Sequence, residues 1–272
     1  MSRLPLLLSI PHGGSMLPRE YAPRFALSAA ELFHESDPWT REIFAMGEAV
    51  QGRIEAEVAK AVVDLNCDPS LVPPKAPSGA IKQFTAFGRP IWTEDGFPSS
   101  EEMDRLLDRY HRPYHDVLNR TSNRGGVRLA IDCHSLYAYG PPDAPDAEQA
   151  RPLFVLGNLG DEKGEGTAAT APAPLLQFVA ELLEKEFADL EPLPGTVRVA
   201  VNAPVVSNYT LRRHGKGRTP WLQLSLNRCV YLKNPADVTN VPDSDREGIS
   251  NLRRRLFSVM CDLSDRIDEF IK

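Results

Sequence analysis

Six short apolar runs, spaced along the chain by helical and loop-like stretches, constrain this sequence more than any other feature. They fall at Leu4–Ile10, Ala61–Leu65, Val127–Ile131, Leu153–Leu156, Val197–Val201 and Leu222–Leu226. Each has strand length, is apolar or alternating, and most are bounded by turn residues or breakers. Between them, "SAAELFHE" places Glu31 three residues after Ser28, and "SSEEMDRLLDRYHRPYHDVL" places Glu102 three after Ser99. That spacing lets two side chains satisfy the orphan N–H groups of a helix start. From about Ser244 to Phe270, Ile249, Leu252, Leu256, Val259, Leu263, Ile267 and Phe270 recur at steps of three and four, predicting one long helix with a single apolar face. Strands alternating with helices predict an α/β fold with a mainly parallel or mixed central sheet covered on both faces. No fixed-period repeat or linker interrupts residues 1–272, so one domain is expected.

Composition narrows the function classes. Hydrophobic residues at 42% and charged residues at 25% suit a soluble chain with a real core. A net charge of -6 argues against a nucleic-acid partner, which calls for a basic stripe. Cys67, Cys133, Cys229 and Cys261 lie far apart with no C-x-x-C pair, which fits reduced thiols and a cytoplasmic location. Leu4–Ile10 is too short to span a bilayer and precedes no small-residue cleavage site, so no membrane association is expected. The proline- and glycine-rich stretches after Cys67 and after Tyr139 read as long loops of the kind that line binding sites.

In a parallel sheet, ligands collect beyond the carboxyl ends of the strands. The first strand there delivers His12 in "SIPHGG"; the second delivers Asp64, Asn66 and Cys67; "LAIDCHSL" delivers Asp132, His134 and Ser135. The late strands add Asn202, Gln223, Ser225 and Asn227. Asp132 and His134, two apart, share one face of a strand, and a carboxylate there can orient a metal-ligating imidazole. Cys133 faces the other way. Two neutral histidines and a carboxylate make a zinc site with an open position. The third ligand is sought in "LFHESDPW", where Glu35 and Asp37 precede a helix near Trp39 or Thr40; Asp37 serves equally well as that helix's cap. His111 and His115, four apart, suit one helix face, although Pro113 lies between them and satisfied structural histidines fit as well.

Taken in order, "SIPHGG…LP", "SDPW", "VVDLNCDP", "YHRPYHDVL", "DCHSL" and "VNAPVVSNYTLRRHG…LQLSLNRCVYL" resemble the N-formylglutamate amidohydrolase family over most of the chain. The resemblance implies a three-layer, zinc-carboxypeptidase-like α/β/α fold and a small-molecule substrate, an acylated amino acid. It implies hydrolysis of an N-acyl amino acid amide by a water that zinc, or another divalent ion, activates. By the same resemblance His12, His134 and Asp37 are the metal ligands, and Asn66 helps to hold a substrate carboxylate.

The chain departs from the family pattern where chemistry is expected. Cys67 replaces an arginine, Ser225 replaces the glutamate expected as general base, and Ser207-Asn208 replaces a glycine pair. Cysteine cannot clamp a carboxylate as a guanidinium does. The proton-transfer role then falls to Glu35, Asp132 or His115, and the anion clamp to Arg89, Arg112, Arg212 or Arg213. Ser135 and Asn202 join Asn66 and Arg112 as expected substrate contacts. The alternative is a non-catalytic member that keeps the fold and the metal for small-molecule binding or regulation.

Overall fold

The computed structural model describes residues 3–204, 209–243 and 245–271. Its six strands are β1 (Leu4–Ile10), β2 (Val50–Glu55), β3 (Leu129–Leu136), β4 (Phe154–Gly157), β5 (Val199–Val201) and β6 (Trp221–Asn227). They form one sheet in the order β2-β1-β3-β6-β4-β5. The first four strands in that order run parallel, whereas β4 pairs antiparallel with β6 and β5 follows β4. The sheet is mixed, and its carboxyl ends do not all share one edge.

The helices are α1 (Ala29–Glu35), α2 (Thr40–Ile43), α3 (Ser100–Leu106), α4 (Arg112–Ser122), α5 (Ala173–Glu186), α6 (Tyr209–His214) and α7 (Arg246–Arg266). Side chains alternate across β1: Leu6, Leu8 and Ile10 face a core shared with α2, α5 and α7, and Leu7 faces a second core shared with α3 and α4. Two buried faces on one sheet give the three-layer α/β/α arrangement. The capping boxes at Ser28 and Ser99 both form. Helix α7 buries Ile249, Leu252, Leu256, Val259, Met260 and Leu263. At roughly 1.5–3 kcal/mol for each such side chain, packing rather than propensity holds this helix. Its start is capped by Asp245, which accepts from Gly248 N at 2.9 Å; Ser244 lies outside the described residues.

One expected strand is not a strand. Ala61–Leu65 forms turns, although Val62, Val63 and Leu65 are buried, and the true second strand is Val50–Glu55. The sequence "VQGRIE" lies on the sheet edge and keeps polar residues, so it lacks the apolar run of a central strand. Apolarity located the burial of residues 61–65, but not their backbone.

Pro113 does not break its helix. A wider turn over Leu107–His111 joins α3 to α4, and Pro113 falls in the first turn of α4, where a missing N–H costs little. His111 and His115 therefore stay on one face, with ring centroids 4.6 Å apart.

Candidate metal centre and catalytic cavity

Parallel β1 and β3 bring the two motif histidines together. Ser9 pairs with Asp132 in the sheet register, so His12 leaves β1 beside the end of β3 that holds His134. Their ring centroids are 4.9 Å apart. Asp37 arrives from the turn after α1, tied down by its own N–H donating to His12 O at 2.9 Å. Its side chain caps no helix, because α2 begins without a side-chain cap. Asp37 Oδ2 instead lies 2.9 Å from His134 Nδ1 and 3.4 Å from His12 Nδ1. One ligand atom from each of these three buried residues falls within 4.8 Å of the others.

The opposite nitrogen of each ring is held by a further carboxylate. His12 Nε2 donates to Asp64 Oδ1 at 2.8 Å, and His134 Nε2 donates to Asp132 Oδ2 at 2.9 Å. Placing the protons on Nε2 leaves both Nδ1 lone pairs turned toward Asp37, the tautomer that a metal needs. Asp132 is itself fixed, since Ser9 Oγ donates to its Oδ1 at 2.6 Å and Asn66 Nδ2 to its Oδ2 at 3.1 Å. Tyr114 of α4 completes the chain, with its hydroxyl 2.9 Å from Ser9 Oγ.

The donor set fits a divalent cation. Three buried carboxylates surround two imidazoles, with Lys82 3.9 Å from Asp64 and Arg228 3.9 Å from Asp37 offsetting part of that charge from outside the histidine pair. Burial disfavours a charged His134, yet without an ion Asp132 and Asp37 overcome it and hold the ring's pKa up at about 10, so its Nδ1 then carries a proton toward Asp37 that a bound cation would displace. Two imidazole nitrogens with one carboxylate oxygen are zinc-type donors.

His12, Asp37 and His134 line a cavity of about 350 Å³, together with Asn66, Ser135 and Ser225. Asn66 is fixed from several sides: Thr210 N and Oγ1 each donate to its Oδ1 at 2.9 Å, and its N–H donates to Asp64 Oδ1 at 2.9 Å. Asp132 stands behind His134 rather than on the cavity wall, within hydrogen-bond reach of the ring.

Three expected site residues are not brought to the cavity. His115 donates from Nε2 to Leu65 O at 2.7 Å and accepts from His214 Nε2 at 2.9 Å through Nδ1, so both nitrogens are committed. With His111, which donates to Cys67 O at 2.9 Å, it pins the backbone on either side of Asn66. Arg112 sits on an exposed helix face, ion-paired with Asp108. Asn202 bonds Asn158 at the end of β5, and because β5 runs opposite to β1, β3 and β6, that end lies at the other edge of the sheet.

Chain packing requires the glycines after His12. A Cβ on Gly14 would meet the Glu57 carbonyl at 2.4 Å, and one on Gly13 would meet Arg41 Cγ at 2.6 Å. Both lie where neighbouring segments cross.

A family model for N-formylglutamate amidohydrolase matches residues 4–232. The chain belongs to the N-formylglutamate amidohydrolase family. N-formylglutamate deformylases of Pseudomonas putida and Pseudomonas aeruginosa are each 30% identical to it over 146 residues, 51% of this chain and 54% of theirs. The chain thus spans about half the length of the curated relatives it matches. Among solved structures, an N-formylglutamate amidohydrolase from Ralstonia eutropha JMP134 superposes with a TM-score of 0.73 at 20% identity, covering 99% of this chain and 96% of that one. A gene product of Agrobacterium tumefaciens gives 0.65 at 14% identity, covering 97% and 91%. Both share the fold.

Cys67, Ser225 and Ser207-Asn208 are the positions expected to differ from the family pattern. Ser225 sits opposite His134 in the register of β3 and β6, and its hydroxyl accepts from Gln223 Nε2 at 2.8 Å. Cys67 is half-buried; burial and then Asp64 push its thiol up to about 11, so it carries no charge near neutral pH. Ser207 and Asn208 lie outside the described residues. Glu35 is held at both oxygens, by Lys82 Nζ at 2.8 Å and Ala86 N at 3.1 Å.

Five charged residues at the cavity carry no periodic signal in the sequence: Lys60, Lys82, Asp143, Arg151 and Arg228. Arg228 is buried and donates to His34 O at 2.9 Å and Ser36 O at 2.6 Å, the backbone leading into Asp37. It also stacks on Tyr137 at 3.9 Å. Its place directly after the strand "LQLSLN" is the one sequence signal for it, since ligands collect beyond strand ends.

Proposed function

We propose that this chain is a metal-dependent amidohydrolase acting on an N-acyl amino acid, with zinc as its ion and His12, Asp37 and His134 as ligands. The observation that carries the reading is the convergence of two Nδ1 atoms and one carboxylate oxygen, with a second carboxylate behind each ring. A bound divalent ion supplies Lewis acidity, which polarises an acyl carbonyl and makes water a nucleophile near neutral pH. The relatives' name supports an N-formyl amino acid as the substrate class.

The chain's own residues supply orientation and charge. Asp64 and Asp132 keep each imidazole in the ligating tautomer. Arg228 fixes the segment that carries Asp37. Lys60, which makes no ion pair among the described residues, lines the cavity beside Lys82 and takes the substrate carboxylate in place of the missing arginine. Ser135 and Asn66 present polar groups to the same space.

Two measurements on the purified protein test the reading. Elemental analysis is expected to find a stoichiometric divalent metal that His12→Ala abolishes. Amine release is expected from a panel of N-acyl amino acids that begins with N-formyl-L-glutamate. A metal-free protein overturns the metal centre. A metal-loaded protein inert to the whole panel favours a binding role, the reading to which Cys67 and Ser225 lend weight.

A further inference from the structure

Three carboxylates line the metal cavity, and only two have evident work. Asp37 faces both imidazole Nδ1 atoms, and Asp64 holds His12 and Asn66 N. The third is Asp143, whose side chain makes no ion pair and no hydrogen bond to another side chain among the described residues. It belongs to the loop between β3 and β4, in the stretch "YGPPDAPDAEQAR".

That loop is built to hold its shape. Gly140 N donates to Gln149 O at 2.9 Å, and Glu148 N returns a bond to Gly140 O at 2.8 Å, closing the base. Any Cβ on Gly140 would meet Asp146 O at 1.9 Å, so the closure needs glycine. The buried Arg151 guanidinium grips both oxygens of Asp146 at 2.7 Å, a two-pronged pair within the loop. Pro141, Pro142 and Pro145 fix φ on either side of Asp143, and Ala144 N donates to Pro141 O at 2.9 Å. Asp143, an exposed residue, is therefore held at the rim of the cavity by a clamped segment.

We infer that Asp143 is the catalytic carboxylate of this site, accepting a proton from the attacking water and delivering it to the departing amine. The inference rests on the amidohydrolase reading and deepens it. The water oxygen bonds to the acyl carbon as one water proton passes to Asp143. That proton moves to the amide nitrogen as the C–N bond breaks, leaving Asp143 ionised again, a free amine, and an acid that carries the other water proton until it ionises.

Elimination supports the assignment. Glu35 is locked by Lys82 and Ala86, Asp132 stands behind His134, His115 has both nitrogens bonded, and Ser225 is no base near neutral pH. Partial desolvation lifts the Asp143 carboxyl above its ordinary value, with Lys82 and Lys60 opposing and Glu35 reinforcing that lift, the direction a proton carrier needs.

The test compares wild type with Asp143→Asn and Asp143→Glu on an N-acyl amino acid that the wild type hydrolyses, with metal content and thermal midpoint measured alongside. Asp143→Asn is expected to lower kcat by about 10²–10⁴-fold, leaving KM, bound metal and midpoint unchanged, and Asp143→Glu is expected to recover part of the rate. Retention of kcat within a few-fold in Asp143→Asn overturns this inference alone, as does a loss of rate that follows a loss of metal. A metal-loaded wild type that hydrolyses nothing overturns the amidohydrolase reading and this inference with it.

Discussion

Asp132 has no exposed surface, yet it accepts hydrogen bonds from Ser9, Asn66 and His134. A buried carboxylate this well satisfied keeps its charge, and in the proposed centre that charge would make His134 a strong ligand. Asp132→Asn preserves the shape and removes the charge. We expect it, and Asp64→Asn at the other ring, to weaken metal affinity roughly 10–100-fold while the fold persists, as measured by competition titration against a chelator. Asp132 and His134 were legible because two residues apart on a strand means one shared face. Asp143 was not, since a lone carboxylate among prolines carries no periodic signal and matters only through what the folded loop brings it near.

The continuous α3–α4 segment shows an element working at a distance from the chemistry. Its wide turn keeps His111 and His115 aligned, and their ring N–H groups hold the carbonyls on either side of Asn66. Burial is the chief cause that lowers His115, to about 3, and His214, to about 4. Both rings are thus neutral in the fold while an unfolded chain protonates them below its ordinary value of about 6.5. Their contribution is fully present above that pH and declines as pH falls through the window from about 6.5 toward 4 and then 3. Each proton adds a slope of about 1.4 kcal/mol per pH unit. Urea midpoints measured between pH 7 and 4, values set by that window, are expected to fall less steeply in His115→Phe than in wild type. The i, i+4 spacing was visible in the sequence; the choice between ligand and support was not, because the partners are backbone carbonyls some fifty residues away.

For the molecule as a whole, the proposed metal centre joins three segments far apart in the chain, the ends of β1 and β3 and the turn after α1, so an ion there would bind only the folded state. Such an ion stabilises by about 4 kcal/mol when its free concentration is about a thousand times its Kd. A strong chelator is therefore expected to lower the thermal midpoint of wild type and leave that of His12→Ala unmoved, as read by differential scanning fluorimetry. The reversal of β4 and β5 acts on the same scale, since it sends Asn202 to the far edge of the sheet while β1, β3 and β6 keep their carboxyl ends together. No helix of the described chain is long and apolar enough to cross a membrane. Read alone, the sequence determined the α/β class, five of the six strands, both capping boxes and the apolar face of α7, and it singled out His12 and His134 at strand ends while leaving Glu35 and Asp37 both open as the third ligand. Those features are local periodicities or short motifs, and local spacing is enough to specify them. Only the tertiary structure decided strand direction, the coiled path of residues 61–65, the parts played by His115 and Arg228, and the presence of Asp143 at the cavity, because each depends on which distant backbone a side chain meets.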